Sequence, residues 1–221
     1  MKRILGTSLM VMALALVAVP KAEAAVILVF GQTSDTNTIT GTANGALTST
    51  TIGGTNIAVS ITQIENGGSN LPAFFTLSAT SITAATGAVV AQQDYSGTFC
   101  ITSLAGCLGV NYLSGSFTDV TFGLISGGGL TMVSAQPPTL VSFTSDIATS
   151  LGLGRAVAFS FTNVSPAVNI CGTTICSFTS SVSGNFSGNV GQVPEPGSML
   201  LLGSGLLGLA AVARRRVARK S

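Results

Sequence analysis

Hydrophobic and polar residues alternate with a period of two along most of the chain from Ala25 to Val190. Successive side chains of an extended strand point to opposite faces, so this alternation predicts half-buried β-strands. No run in this region has the three-to-four-residue hydrophobic spacing of an amphipathic helix. The alternating hydrophobic positions are Val26, Leu28 and Phe30, then Ile57, Val59 and Ile61, then Val120, Phe122 and Leu124, then Val157, Phe159 and Phe161, and finally Phe178 and Val182.

Turn-forming residues separate these runs. Gly, Pro and Asn favour turns because they adopt or fix backbone angles that strand interiors do not use. Short strands divided in this way predict a single antiparallel β-sandwich or jelly-roll-like domain of about eight to twelve strands over residues 25–190. The alternative is a β-solenoid, which would require a fixed short repeat that this sequence lacks. The separating segments are Asn44-Gly45, Gly53-Gly54, Asn66-Gly67-Gly68, Gly127-Gly128-Gly129 and Pro137-Pro138.

A Ser-Gly-x-Phe pattern recurs at residues 96–99, 114–117 and 183–186. Gly inside a strand often marks a bulge or a close approach of another chain segment. We therefore expect three strand entries with Gly at a bulge and Phe turned into the core.

Residues 1–24 have the organisation of a secretory signal peptide. The order is Lys2-Arg3, an apolar stretch from Ile4 to Val19, Pro20, and the small-x-small site Ala22-Glu23-Ala24 before Ala25. Signal peptides share this order, which predicts export by the secretion machinery and cleavage between Ala24 and Ala25 by signal peptidase. The alternative is an uncleaved N-terminal membrane helix, which the short apolar region and the Ala-x-Ala site disfavour.

Residues 191–221 combine a proline-bracketed acid, a short apolar run and a basic tail. Pro194 and Pro196 fix their φ angles and keep their neighbours extended, so this segment stays accessible to an enzyme that binds extended peptides. The fifteen residues Met199–Ala213 would span roughly 22 Å as a helix, against ~30 Å of hydrocarbon core. We predict a short transmembrane helix over 197–213. The tail, 214–221, holds its end in the cytoplasm through Arg214, Arg215, Arg216, Arg219 and Lys220.

This ending resembles the PEP-CTERM sorting signal of Gram-negative bacteria. The resemblance covers residues 193–221, where Val193, Pro194, Glu195 and Pro196 form the motif ahead of the apolar run and the Arg cluster. It implies recognition by an exosortase, a membrane-embedded enzyme that cuts near the motif and passes the protein to the cell surface. It also implies an association with exopolysaccharide and biofilm matrix. A single-pass anchor preceded by a chance Pro-Glu-Pro is the alternative.

Charge is scarce and unevenly distributed. Only 7% of the residues are charged, and the net charge of +2 comes from the two ends of the chain. Between Ala25 and Val193 there are five acidic residues, and Arg155 is the only basic one, so the net charge of this region is −4. Binding nucleic acid through phosphates requires clustered Lys and Arg, so the central region is not predicted to bind nucleic acid.

The four cysteines fall in two close pairs, Cys100 with Cys107 and Cys171 with Cys176. An even number in an exported chain indicates disulfides, and three pairings are compatible with the sequence. We expect the local pairing because each pair brackets a Gly-containing loop, and each short loop would contribute about 2 kcal/mol by chain entropy. The alternative, a four-Cys zinc site, is disfavoured by the spacing and by an oxidising compartment.

The chain contains no His, which excludes Ser-His-Asp and Cys-His catalysis and His-ligated metals. Glycoside hydrolysis needs two facing carboxylates, for which Asp94 and Asp119 are the most suggestive candidates beside Glu65 and Asp146. Isolated acids more often keep a weakly charged surface soluble. No Asp-x-Asp cluster indicates calcium. We therefore expect no catalytic residues, no metal and no cofactor.

The sequence thus predicts a non-enzymatic exported protein with a structural or adhesive role in the extracellular matrix. The rival interpretations are a carbohydrate- or surface-binding module and, further off, a two-carboxylate hydrolase. A binding module would present exposed aromatic residues on one face of a sheet. Trp is absent, and we expect only Tyr95 and Tyr112 to be exposed.

Overall fold

The computed structural model describes residues 24–87, 91–124, 130–134, 141–149, 151 and 155–189. Residues 1–23 of the predicted signal peptide, and the predicted sorting motif, transmembrane helix and basic tail, lie outside these residues. Residues Glu23–Val190 form one compact unit. Its strands are β1 (Ala24–Gln32), β2 (Ile39–Ala43), β3 (Thr50–Ile64), β4 (Leu71–Ser81), β5 (Gln92–Leu104), β6 (Leu108–Leu124), β7 (Leu130–Ser134), β8 (Val141–Thr144), β9 (Ala156–Ser165), β10 (Ile170–Cys171), β11 (Thr174–Ile175) and β12 (Phe178–Asn189).

Eight antiparallel strands close into a barrel. The ring runs β1-β3-β4-β5-β6-β7-β9-β12 and returns to β1, and closure depends on the β1–β3 and β9–β12 pairings. β2 is inserted between β12 and β3, and β8 pairs with β6. The prediction of an all-β fold is confirmed, but the prediction of a sandwich or jelly roll is wrong. Alternating strands suit both architectures, and only the long-range pairing distinguishes them.

The barrel interior is the hydrophobic core. The alternating positions on β3, β9 and β12 are buried as predicted, with Ile57, Phe159 and Phe186 each fully buried. β1 departs from strict alternation because a bulge between Val26 and Leu28 brings Ile27 inward beside Leu28, and Val26 stays half-buried. Every phenylalanine except Phe74 lies in this core.

Cross-strand pairs of glycine and phenylalanine fill the interior. Phe30 pairs with Gly184, Phe99 with Gly115, and Phe178 with Gly41. A Cβ built on any of these three glycines would collide with the ring of its partner. A large ring opposite a residue without a side chain satisfies the close packing of a small barrel.

This pairing corrects the prediction for the Ser-Gly-x-Phe segments. Phe99, Phe117 and Phe186 turn into the core as expected. Of the three glycines, only Gly97 lies at a register shift, between Tyr95 and Gly97. Gly115 and Gly184 instead make room for their neighbours, because a Cβ would meet the Ser142 carbonyl and the Phe99 ring at Gly115 and the Phe30 ring at Gly184. These two glycines are therefore needed for space rather than for bulges.

The barrel has two distinct ends. At the end called here the exit end, the first residue of β1, Ala24, pairs with the last residue of β12, Asn189. β5 also runs toward this end, because β1 starts beside the end of β3, β3 ends beside the start of β4, and β4 starts beside the end of β5. The turn after β5 then folds back, and its Gly106 N–H donates to Asn56 Oδ1 in the middle of β3. The opposite end, called here the plugged end, carries the β10–β11 hairpin.

Both disulfides are local. Cys100 bonds Cys107 across the β5–β6 turn, and Cys171 bonds Cys176 across the β10–β11 hairpin. The predicted pairing is confirmed. Each bond closes a single hairpin, so neither links distant strands.

Candidate functional site

A polar cleft opens on the outside of the barrel where the end of β1 meets β9 and β12. Its volume is about 370 Å³. The register of β9 against β12 shifts between Thr179 and Ser181, and Asn163 adopts the left-handed backbone region with φ 55°. This irregularity interrupts the strand surface next to the 33–35 segment, and both segments line the cleft.

Gln32 holds the wall of the cleft in place. Its side-chain amide donates to the carbonyls of Ser34 and Asn37 at 2.7 and 2.9 Å, and its Oε1 accepts from the N–H of Val182 at 2.9 Å. Three hydrogen bonds on one side chain join the segment after β1 to β12. Gln32 therefore acts as a positioning residue.

Asp35, Asn163 and Ser181 are among the polar side chains that line the cleft. The Ser181 hydroxyl donates to Asp35 Oδ1 at 3.4 Å, and Asn163 Nδ2 donates to the Ser181 hydroxyl at 3.5 Å. Both contacts are longer than ordinary hydrogen bonds, so the carboxylate and the amide keep capacity for other partners. A carboxylate, an amide and hydroxyls together offer donors and acceptors that match the hydroxyl groups of a sugar.

The acids singled out in the sequence take other positions. Asp94 and Asp119 lie on the neighbouring strands β5 and β6, and Asp94 is opposite Thr121. The Asp94 carboxylate accepts hydrogen bonds from Thr121 at 2.7 Å and from Thr83 at 3.4 Å. Asp119 is exposed, with φ 60°. Neither acid lines the cleft described above.

Asp146 and Glu65 lie near the exit end of the barrel. Asp146 Oδ2 accepts from the N–H of Asn111 at 2.8 Å, which fixes the segment after β8 to β6. Glu65 begins the turn after β3, and Asn66 in that turn donates to Thr149 at 3.0 Å. Among the described residues, no group of three or more His, Cys, Asp or Glu side chains is placed to hold a metal ion.

A buried polar network at the plugged end was not predicted from the sequence. The Gln93 amide donates to the Thr174 hydroxyl at 3.0 Å, which lies 2.6 Å from the Thr50 hydroxyl, and Thr50 donates to the carbonyl of Ile175. Gln93 Oε1 accepts from Tyr95 at 3.0 Å and from the N–H of Ile175 at 3.2 Å. The only signal in the sequence was that Gln93 shares the inward face of β5 with Tyr95, two residues on.

Tyr95 is fully buried, so the prediction that it is exposed is wrong; Tyr112 is half-buried. Burial raises the pKa of Tyr95 far above its ordinary value of 10.0, although the hydrogen bond with Thr50 lowers it in part. The phenol therefore stays protonated at neutral pH and donates to Gln93. Tyr95 belongs to the core rather than to a binding face.

A family model described as the PEP-CTERM protein-sorting motif matches residues 192–216. The match covers the Val-Pro-Glu-Pro segment, the apolar run and Arg214 to Arg216, and it confirms the resemblance over this part of the chain. The motif implies processing by an exosortase and export to the cell envelope or surface. No curated protein and no solved structure matches the chain.

Within the part of the chain that the structure describes, no helix is long and apolar enough to cross a membrane. The predicted span at 197–213 lies outside that part.

Proposed function

We propose that this protein is a structural or adhesive component of the extracellular matrix, delivered by signal peptidase and an exosortase-type enzyme. In this scheme the C-terminal apolar run holds the chain in the inner membrane as a single-pass protein until the motif is cut. The observation that carries the proposal is the sorting motif at 192–216 behind a domain with two disulfides. Disulfides persist in oxidising compartments, which agrees with a domain that works outside the cell.

The outer surface of the domain suits a matrix of neutral or weakly charged polymer. Hydroxyl side chains alternate with core residues along the strands, as on β4, where Ser78 and Thr80 point outward beside buried Leu77 and Ala79. Arg155 is the one base between Ala25 and Val193. Such a surface interacts through hydrogen bonds to polysaccharide hydroxyls rather than through ion pairs. We also propose that the domain is not an enzyme, because catalysis would have to work without His and with dispersed acids.

Mass spectrometry of the intact exported protein tests the delivery scheme. In a host with an exosortase, we expect a mature chain that begins at Ala25 and ends between Pro194 and Gly197. Glu195→Ala should abolish the C-terminal cut, whereas the control Asp119→Ala, an exposed acid on β6, should leave it unchanged. A mature chain that still carries its basic tail would mean that the C-terminal segment is not cut and serves only as an anchor, which would overturn the scheme.

The polar cleft favours a second candidate function, carbohydrate binding. Asp35, Asn163 and Ser181 lie together in a concave surface and are held only by long hydrogen bonds. A glycan array of the exported protein would test this function. Binding that is lost in Asn163→Ala and Asp35→Asn but kept in Asp119→Asn would support a binding module, and equal binding by all variants would exclude this cleft.

A further inference from the structure

The polar cleft beside β1, β9 and β12 contains one charged side chain. Asp35 is the only acid or base among the described residues that line it, and its neighbours there are amides, hydroxyls, glycine and valine. Asp35 is exposed, so a ligand in the cleft can reach its carboxylate. The charge of the cleft is therefore negative and concentrated at one point.

No base in the described part of the chain neutralises this carboxylate. Arg155 is the one base among the described residues, and it directly precedes β9, whereas Asn163 in the cleft lies near the end of that strand. At about 3.3 Å per residue, Arg155 lies roughly 25 Å along the strand from Asn163. Its guanidinium donates instead to the carbonyls of Leu151 at 2.9 Å and Val141 at 3.5 Å. The Asp35 carboxylate can therefore pair with a cationic group of a ligand.

The hydrogen bonds in the cleft leave acceptors next to this charge. Ser181 contacts only Oδ1 of Asp35, at 3.4 Å, and Asn163 reaches the Ser181 hydroxyl through its Nδ2, at 3.5 Å. Within the described part of the chain, Asp35 Oδ2 and Asn163 Oδ1 accept no hydrogen bond. Because both side chains contact the same Ser181 hydroxyl, these acceptors lie in one part of the cleft. An ammonium group has three N–H donors and no acceptor, so it complements them.

We propose that the cleft binds an amino sugar whose amino group is free and protonated. The inference rests on the carbohydrate binding proposed above for the same cleft, and it names the class of sugar. The ammonium donates to the Asp35 carboxylate and to Asn163 Oδ1. The ring hydroxyls exchange hydrogen bonds with the hydroxyls of Thr162 and Ser183, which line the same cleft. The volume of about 370 Å³ is at the small end of the roughly 300–1,000 Å³ of ligand sites, so the cleft takes a short part of a glycan.

Other ligands fit the cleft less well. An acidic sugar would meet the charge of Asp35 in a region whose net charge is −4. An N-acetylated sugar carries no charge on its nitrogen, and its methyl group would find no aromatic side chain among the described residues of the lining. A calcium ion takes about six to eight oxygen ligands, and the described residues include no group of three or more His, Cys, Asp or Glu side chains placed to hold a metal. A free ammonium group matches both the charge and the acceptors.

Isothermal titration calorimetry of the exported protein with three tetrasaccharides tests this selectivity. The three share a β-1,4-linked backbone and consist of glucosamine, N-acetylglucosamine or glucose. An exposed ion pair changes an affinity by up to about fivefold, so we expect the glucosamine tetramer to bind about three- to fivefold more tightly than the other two at low salt. Asp35→Asn should abolish this preference. Asp119→Asn removes the same charge from an exposed position outside the cleft and should keep the preference, whereas Asn163→Ala should weaken binding of the glucosamine tetramer.

The outcomes separate the amino sugar from carbohydrate binding in general. Equal binding of the three tetrasaccharides, weakened in Asn163→Ala, would overturn the amino-sugar preference and leave the cleft as a carbohydrate site. A preference that Asp35→Asn and Asp119→Asn reduce equally would mean attraction to the overall negative charge, which also overturns the proposal. A lysine tetrapeptide that binds as tightly as the glucosamine tetramer would overturn it by showing that the cleft selects charge without recognising the sugar. If no tetrasaccharide binds the parent chain, the preference and carbohydrate binding by this cleft both fail.

Discussion

Two hairpins in this protein are each closed by a disulfide, but one is buried against the barrel and the other is exposed. The Cys171–Cys176 bond closes the β10–β11 hairpin, whose Thr174 and Ile175 are fully buried against the barrel. The Cys100–Cys107 bond closes the β5–β6 turn, whose leucines are more than half exposed. A short disulfide loop restrains its own backbone to a similar degree in either place. The two hairpins differ in the number of buried groups that they contact.

The plugged hairpin depends on buried polar partners, whereas the β5–β6 turn is held by exposed ones, through the Gly106 N–H on Asn56 Oδ1 and the Val110 N–H on the Ser103 hydroxyl. Gln93 alone accepts from two groups and donates to a third in the plug. Leaving such groups buried without partners costs far more than the net gain of one hydrogen bond, so the plug is sensitive to single substitutions. Leu104 and Leu108 in that turn are mostly exposed, so changes there should have little effect on folding.

The largest effect is expected from Gln93→Leu. This change removes the acceptor of the Tyr95 hydroxyl and of the Ile175 N–H, and it leaves the Thr174 hydroxyl with Thr50 alone. At ~1–3 kcal/mol for each unsatisfied buried group, we expect the free energy of unfolding to fall by about 3–5 kcal/mol. Urea denaturation measures this, and the exposed neighbour in Gln92→Leu should change stability by less than about 0.5 kcal/mol. Similar losses in both variants would mean that the network is not the cause.

Removing one disulfide at a time tests the difference between the two hairpins more finely. Cys171→Ala with Cys176→Ala, and Cys100→Ala with Cys107→Ala, should each lower the free energy of unfolding by about 2 kcal/mol. The pattern of amide hydrogen exchange should differ, because only the plug is packed into the core. We expect faster exchange to reach Gln93 and Tyr95 in the first variant and to stay within 104–110 in the second. Faster exchange over the same set of residues in both variants would contradict the difference in packing between the two hairpins.

A smaller effect is expected from Tyr95→Phe at neutral pH. It removes one hydrogen bond to Gln93, so the free energy of unfolding should fall by about 1 kcal/mol. The pKa of Tyr95 is higher in the folded chain than its unfolded value of 10.0. The protonated phenol therefore stabilises the fold fully below that value, and the stabilisation is lost as pH rises from there toward the folded pKa.

Urea denaturation at a series of alkaline pH values measures this dependence. The parent chain should lose stability above about pH 10, and Tyr95→Phe should lose less over the same range. Tyr112→Phe on β6 is the control, and its free energy of unfolding should fall above about pH 10 as steeply as that of the parent chain. An identical alkaline decline in Tyr95→Phe would show that Tyr95 is not its source.

The smallest effect is expected from Leu104→Ser combined with Leu108→Ser. Because both side chains are mostly in water, thermal or urea unfolding should change by no more than about 0.5 kcal/mol. Ile101→Ser on the same strand replaces a side chain that is fully buried in the parent, and it should cost several-fold more. A loss above about 1 kcal/mol in the double variant would mean that the two leucines pack against the barrel.

Much of the fold was readable from the sequence because its signals are local. Alternation of hydrophobic residues predicted the strands, and the short spacing of cysteines predicted both disulfides. The candidate sites were harder to predict from the sequence. Asp35 and Asn163 are 128 positions apart in the chain, and no local pattern indicates that β1 and β9 both border β12. Tyr95 was misjudged and the Gln93 network was missed for the same reason, since the inward direction of both side chains depends on the register of β5.

The sequence by itself determined which segments extend, which residues face a core, and where the chain carries its sorting motif. These properties depend on residues within a few positions of each other, where side-chain period and backbone preference act directly. Only the tertiary structure decided that the sheet closes on itself, because the β1–β3 and β9–β12 pairings join segments far apart in the chain. The same closure brought Ala24 and Asn189 together at one end of the barrel. Which face of an alternating strand meets which neighbour is settled by packing across the barrel, and period alone does not encode it.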